Sequence, residues 1–165
     1  MKVINNKAKT SSVDRIFTIM RGLLILSPFV ALGYLTVDSA RAGGVADWQT
    51  IIGSNPNNTV MFIVAMMNPF IAYLLGFVKD HLNMGDYDYG MLNLILMVVA
   101  EVMLQNFIYA LGIAFLTYKC SKVYQAPIKG CLKRKIGNHL FRDISGSIVV
   151  LALAGLCMFA MLRLG

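Results

Sequence analysis

Residues 91–118 read MLNLILMVVAEVMLQNFIYALGIAFLTY, and the stretch contains no Lys or Arg and a single acid, Glu101. A run of this length exceeds the ~20 residues that a helix needs to cross the ~30 Å hydrocarbon layer of a bilayer. Its apolar residues come as a block and not at helical period, so lipid is the expected solvent, not a protein core. A carboxylate at such depth costs about 2.5–3.5 kcal/mol on insertion scales, so Glu101 is expected to face protein or water. Gln105 lies one turn later with Asn106 beside it, and Glu101, Gln105 and Gly112 share one side of a continuous helix. Two roles compete for Glu101. It can fix how helices or subunits meet, or it can bind a proton or cation on a transport path. The want of a second intramembrane acid or a His relay favours the first.

The flanking sequence repeats the pattern. Residues 60–78 form a second apolar run, interrupted by Asn68-Pro69. Proline has no N–H, so the carbonyl of Ala65 loses its helical donor and a kink is expected there. Asn68 can refill that gap or bond to another helix. Ala65, Asn68, Ala72 and Gly76 fall on one helical face, and small residues with one amide let membrane helices approach closely. A gate hinged at Pro69 is the sharper reading, and plain packing the simpler one. Residues 17–37 make a further run, with Arg15 and Arg21 at its start and Arg21 able to extend to the headgroups. The Ala40-Arg41-Ala42 that follows resembles a signal-peptidase site, but the run is longer than the ~7–15 apolar residues of a secretory signal, so an uncleaved anchor is expected. The last run, 148–164, places Ser147, Ala154 and Cys157 on one side.

Between the runs the chain is polar. Residues 1–14 are expected to be mobile or interfacial. Trp48 suits a membrane interface. The sequon Asn57-Asn58-Thr59 abuts a helix and is discounted. Asp80, Asp86 and Asp88 lack the closing bidentate Glu of a calcium loop and read as a solvated turn. Segment 119–143 is strongly basic. Within and just past it Ile128, Leu132, Ile136, Leu140 and Ile144 recur every four residues, the pattern of an interfacial helix. Lys129, Lys133, Arg134, Lys135 and Arg142 are its expected contacts to anionic headgroups, at about 1 kcal/mol each. No aromatic stacking set accompanies these charges, so nucleic acid is not an expected partner.

Composition agrees with this class. The chain has 165 residues, 58% hydrophobic and 14% charged, with a net charge of +7. Soluble domains average about 25% charged residues. Three cysteines without paired spacing argue against a disulfide scaffold, and Cys120, Cys131 and His139 lack zinc-finger spacing, so free thiols are expected.

The reading is an all-α integral membrane protein forming one domain, 1–165. It has about four transmembrane helices (17–37, 60–78, 91–118, 148–164), one of them a re-entrant candidate, and a basic loop at 119–143. No catalytic set, cofactor or metal site is assigned. The expected function is a non-enzymatic small helical subunit or regulator of a larger membrane assembly, in the plasma (inner) membrane. The alternative is a homo-oligomeric proton- or cation-coupled transporter or channel using Glu101. Packing or ion coupling is assigned to Glu101, Gln105, Asn106, Asn68, Pro69, Ala72 and Gly76. The partners expected are membrane lipids and other membrane subunits, or further copies of the chain. Orientation poses a problem. Four crossings put eight cations (Arg41 and seven from 119–143) on one side and six (Lys2, Lys7, Lys9, Arg15, Lys79, Arg163) on the other. So small a bias does not orient the protein. Either the N-terminus lies outside or one run is re-entrant, with Asn68-Pro69 the candidate.

Overall fold

A computed structural model of the chain describes residues 2–41, 43, 48–125 and 140–164, with side chains from residue 11 onward except at 48, 49, 54, 140–143 and 164. These residues form six helices and no strand: α1 (Lys2–Arg41), α2 (Trp48–Ser54), α3 (Pro56–Asn83), α4 (Tyr87–Met103), α5 (Phe107–Tyr124) and α6 (Leu140–Leu164). Three stretches are long and apolar enough to cross a membrane: Ser11–Arg41 in α1, Pro56–Asn83, and Ile144–Arg163 in α6. The all-α membrane class is as the sequence indicates.

The helix boundaries follow from local chemistry. Asn55 caps α3, its side chain accepting from the Asn57 N–H at 2.9 Å, and Pro56 takes the first turn, where no N–H is needed. The discounted sequon ties α2 to α3. The Asn58 amide donates to the Ile51 carbonyl at 3.2 Å, and the Thr59 hydroxyl to that of Ile52 at 2.6 Å. At its other end α3 closes with Gly85 at φ +88°, the Asp86 N–H reaching the His81 carbonyl at 2.9 Å and the Gly85 N–H that of Leu82 at 3.2 Å. This is a Schellman ending. Asp86 then caps α4, accepting from the Tyr89 N–H at 3.2 Å.

Several expectations change. Residues 2–14, expected to be mobile or interfacial, are helical and continuous with α1. The 79–90 loop contracts to Met84–Asp86, because the carboxylate of Asp86 starts a new helix at once. Run 91–118 is not one helix: it breaks at Leu104–Asn106 into α4 and α5. The break costs little in an apolar setting because its backbone groups are paired. The Asn106 N–H bonds the Glu101 carbonyl at 2.9 Å, and the Gln105 N–H bonds that of Val102 at 3.0 Å. Conversely, α3 continues as helix through Asn68-Pro69. Lys129, Lys133, Arg134, Lys135, Cys131 and His139 lie outside the described residues, and the side chain of Arg142 is likewise not described.

Helices α1 and α3 pack antiparallel along their length. Lys79 Nζ meets Asp14 Oδ1 at 3.2 Å at one end, the Arg21 guanidinium lies over Gly76, and the Asn68 amide donates to the Ser27 hydroxyl at 2.7 Å near the middle. The α4–α5 hairpin starts and finishes at the Asp14–Lys79 end, where the Tyr87 and Tyr124 rings lie 5.1 Å apart. It turns back beside Asn68, close to the midpoint of α3. The hairpin therefore stands about half as tall as its neighbours. Helix α6 runs parallel to α4, the Ser147 hydroxyl donating to Asn93 Oδ1 at 2.6 Å and Gly155 facing Met103. A core of Leu24, Ile71, Leu75, Leu94, Met97, Ile113 and Leu116 fills the space between.

Candidate functional site: the tip of the half-height hairpin

The hairpin tip is built from residues of opposite burial. Leu104 is buried, Asn106 half-buried and Gln105 exposed. Gln105 has φ +59°, a left-handed conformation in which a side chain other than glycine is strained. The equivalent position of the preceding turn is Gly85. The Gln105 side chain makes no hydrogen bond to any described residue, and it lines a cleft.

Asn106 links the tip to the bundle. Its amide donates to Asn68 Oδ1 at 3.2 Å, and Asn68 donates in turn to Ser27. The chain of groups Asn106–Asn68–Ser27 thus joins the turn, α3 and α1. Membrane interhelical hydrogen bonds are worth roughly 0.6–2 kcal/mol each. Asn68 is 1% exposed, and its bond to Ser27 is buried while that from Asn106 is part-buried.

Glu101 lies one turn before the tip, on the inner face of α4, and is 0% exposed. Asn106 is the polar side chain that interacts with it, yet neither carboxyl oxygen makes a hydrogen bond of ordinary geometry. Among the buried side chains described, the only other polar atom left without a partner is Arg21 Nε. An isolated carboxylate away from water carries a large desolvation cost, so a buried acid in this state is costly unless a proton or a cation offsets its charge.

Two clefts meet over the tip. One, of about 340 Å³, is lined by Asn57, Val60, Met61, Val64, Leu104, Gln105, Asn106 and Met161. The other, of about 320 Å³, is lined by Ser27, Val30, Ala31, Tyr34, Met61, Val64, Ala65, Asn106 and Tyr109. They share Met61, Val64 and Asn106. Because the hairpin stops halfway, α1, α3 and α6 continue past it and leave a vestibule whose floor is the Gln105–Asn106 turn. Among the described residues, no charged side chain lines either cleft.

The structure brings together Glu101, Gln105, Asn106 and Asn68. It separates Pro69, Ala72 and Gly76 from them. Ala72 is buried, and Gly76 sits under the Arg21 guanidinium, about 3.1 Å from where a Cβ would lie. The small-residue face of α3 thus packs against α1 of the same chain. The face of Ser147 and Ala154 is also turned inward, against α4 and α3. Sequence reasoning missed Ser27, Asn57, Asn93 and Tyr109. Ser27 and Asn93 stand alone among apolar residues, and a lone polar residue in a long apolar run is the signal that marks them. Comparison with protein-family models, curated proteins and solved structures finds no match.

Proposed function

We propose that the chain is a small, non-enzymatic transport protein of the plasma (inner) membrane, working as a homo-oligomer, with Glu101 as its proton- or cation-binding group. The observation behind this reading is Glu101 itself: a carboxyl shut away from solvent, with no hydrogen bond of ordinary geometry, directly behind the Asn106 amide that lines an open vestibule. Intramembrane acids of this kind mark ion and proton paths.

In this reading α1, α3 and α6 cross the bilayer and the α4–α5 hairpin dips in and returns on the same side. Charge supports the arrangement. With the hairpin re-entrant, twelve cations fall on the side of the N-terminus: Lys2, Lys7, Lys9, Arg15, Lys79, Lys119, Lys122 and the five from 129–142. Arg41 and Arg163 alone fall on the other, and Arg21 lies between. That asymmetry orients the N-terminus to the cytoplasm. It also gathers Lys129, Lys133, Arg134, Lys135 and Arg142 beside the anionic inner leaflet.

The test is flux in liposomes. Glu101→Gln keeps size and hydrogen-bonding capacity but cannot change charge, so it is expected to leave fold and oligomer intact and to abolish pH-dependent flux. Unchanged flux sinks the reading. A second reading, a helical subunit of a larger membrane assembly, is favoured by the exposed Gln105 amide, which hydrocarbon cannot satisfy and a partner helix can. Partner proteins that stay bound in mild detergent, and leave on Gln105→Gly, would support it.

A further inference from the structure

The vestibule has the character of a small-molecule site. Ligand clefts run about 300–1,000 Å³, with mostly apolar walls and a few placed polar groups. Here Val60, Met61, Val64 and Leu104 make the walls, and the Gln105 and Asn106 amides make the floor. Asn57 stands at the far end, at the start of α3. Among the described lining residues the hydrogen-bonding groups are all uncharged, and these do not offset the desolvation of an ion. The strained backbone at Gln105 is the second observation. Glycine would relieve it, as at Gly85, so the amide is held in the cleft at a conformational cost.

We propose that this vestibule binds a compact uncharged molecule with an apolar body and a hydrogen-bonding group, such as an aromatic alcohol. The inference rests on the transport reading only in naming its substrate class, and binding is measurable without flux. Met61 and Val64, which face both clefts, contact the apolar body, and Gln105 bonds the polar group.

Photolabelling of the full chain in lipid nanodiscs tests this with three matched aryl diazirines: a benzyl alcohol, its benzoic acid counterpart, and the aryl diazirine with no polar group. The alcohol is expected to label Met61, Val64 and Leu104, and excess benzyl alcohol to suppress that labelling. Gln105→Gly, whose turn relaxes, is expected to weaken it about fivefold, the size of one lost neutral hydrogen bond. Ile108 and Leu111, 85% and 72% exposed on the outer face of α5, report ordinary contact from lipid. Three results would each overturn the proposal: equal labelling of these two residues and the vestibule, an identical pattern from the acid or the apolar probe, or no response to Gln105→Gly. Glu101→Gln separates the two readings, because Glu101 lines neither cleft. Its labelling is expected to match the unaltered chain even where flux is lost. Intact flux in Glu101→Gln with intact labelling removes the transport reading and keeps the site.

Discussion

Gln105 and Gly85 occupy the same position in two turns of the same type, and only one of them is glycine. Backbone energetics alone therefore give substitutions of opposite sign. A non-glycine residue held in the left-handed region costs about 1–2 kcal/mol. Gln105→Gly is expected to raise the thermal unfolding midpoint in detergent, and Gly85→Ala, with open space around its Cβ but φ +88°, to lower it. A fall on Gln105→Gly would mean that the Gln105 side chain holds the fold together rather than serving the cleft. Asn68 is the other residue on which the tip depends, since it bonds both Ser27 and Asn106. Asn68→Leu is expected to cost more than Ser27→Ala, which removes one bond of roughly 0.6–2 kcal/mol. Equal losses in a chemical unfolding series would show that the Asn106 bond contributes nothing.

Among the helices, close approach is uneven, and glycine substitutions can map it. A Cβ on Gly90 would lie 2.6 Å from Leu82 Cγ, a buried branch point of α3, whereas one on Gly33 of α1 meets nothing within 4 Å. Gly90→Ala is expected to destabilise by about 1–3 kcal/mol through overpacking. Gly33→Ala is expected to be neutral or to stabilise by up to ~1 kcal/mol, the helix penalty of glycine. Similar unfolding midpoints for the two would mean that α3 and α4 stand further apart than described. The same unevenness explains what the sequence made legible. Four apolar runs and their polar interruptions were readable from hydropathy, and so was the all-α membrane class. The break at Leu104–Asn106 was not. Its ending rests on a left-handed Gln where the familiar signal is Gly, and no proline marks it. Asn68-Pro69 carried the stronger breaker signal, yet α3 continues through it as helix. Asn68 is engaged by side-chain bonds to α1 and to the tip, and those long-range contacts are invisible to local pattern. Glu101, Gln105 and Asn106 were legible as costly polar residues. Their division into one buried acid, one exposed amide and one linking amide depended on the turn.

For the whole molecule, the decisive question is the side on which the α4–α5 hairpin returns. A continuous helix over 91–118 would carry the chain across the bilayer, so that Asn83 and Gln125 face opposite compartments. The half-height hairpin brings both to the Asp14–Lys79 end, with the Tyr87 ring beside that of Tyr124. With Arg21 left within the membrane, the two arrangements distribute the other fourteen cations as eight against six or as twelve against two, and only the second orients the chain under the positive-inside rule. Single cysteines in a background lacking Cys120, Cys131 and Cys157 distinguish them. Gly53, beyond the opposite end and with open space at its Cβ, serves as the reference. An impermeant maleimide applied to intact cells is expected to label Gly53→Cys alone, and to reach Asn83→Cys and Gln125→Cys only after permeabilisation. Labelling of Gln125→Cys together with Gly53→Cys from outside would mean that the hairpin crosses. The vestibule would then have no half-height floor, and both the path through Glu101 and the site at Gln105 would fall with it. Shared protection of Asn83 and Gln125 leaves α1, α3 and α6 as the only crossings and fixes the vestibule on the outer side. Glu101 is then buried between an opening toward the outside and the packed inner half of the bundle, where Leu94, Met97 and Leu116 close the way.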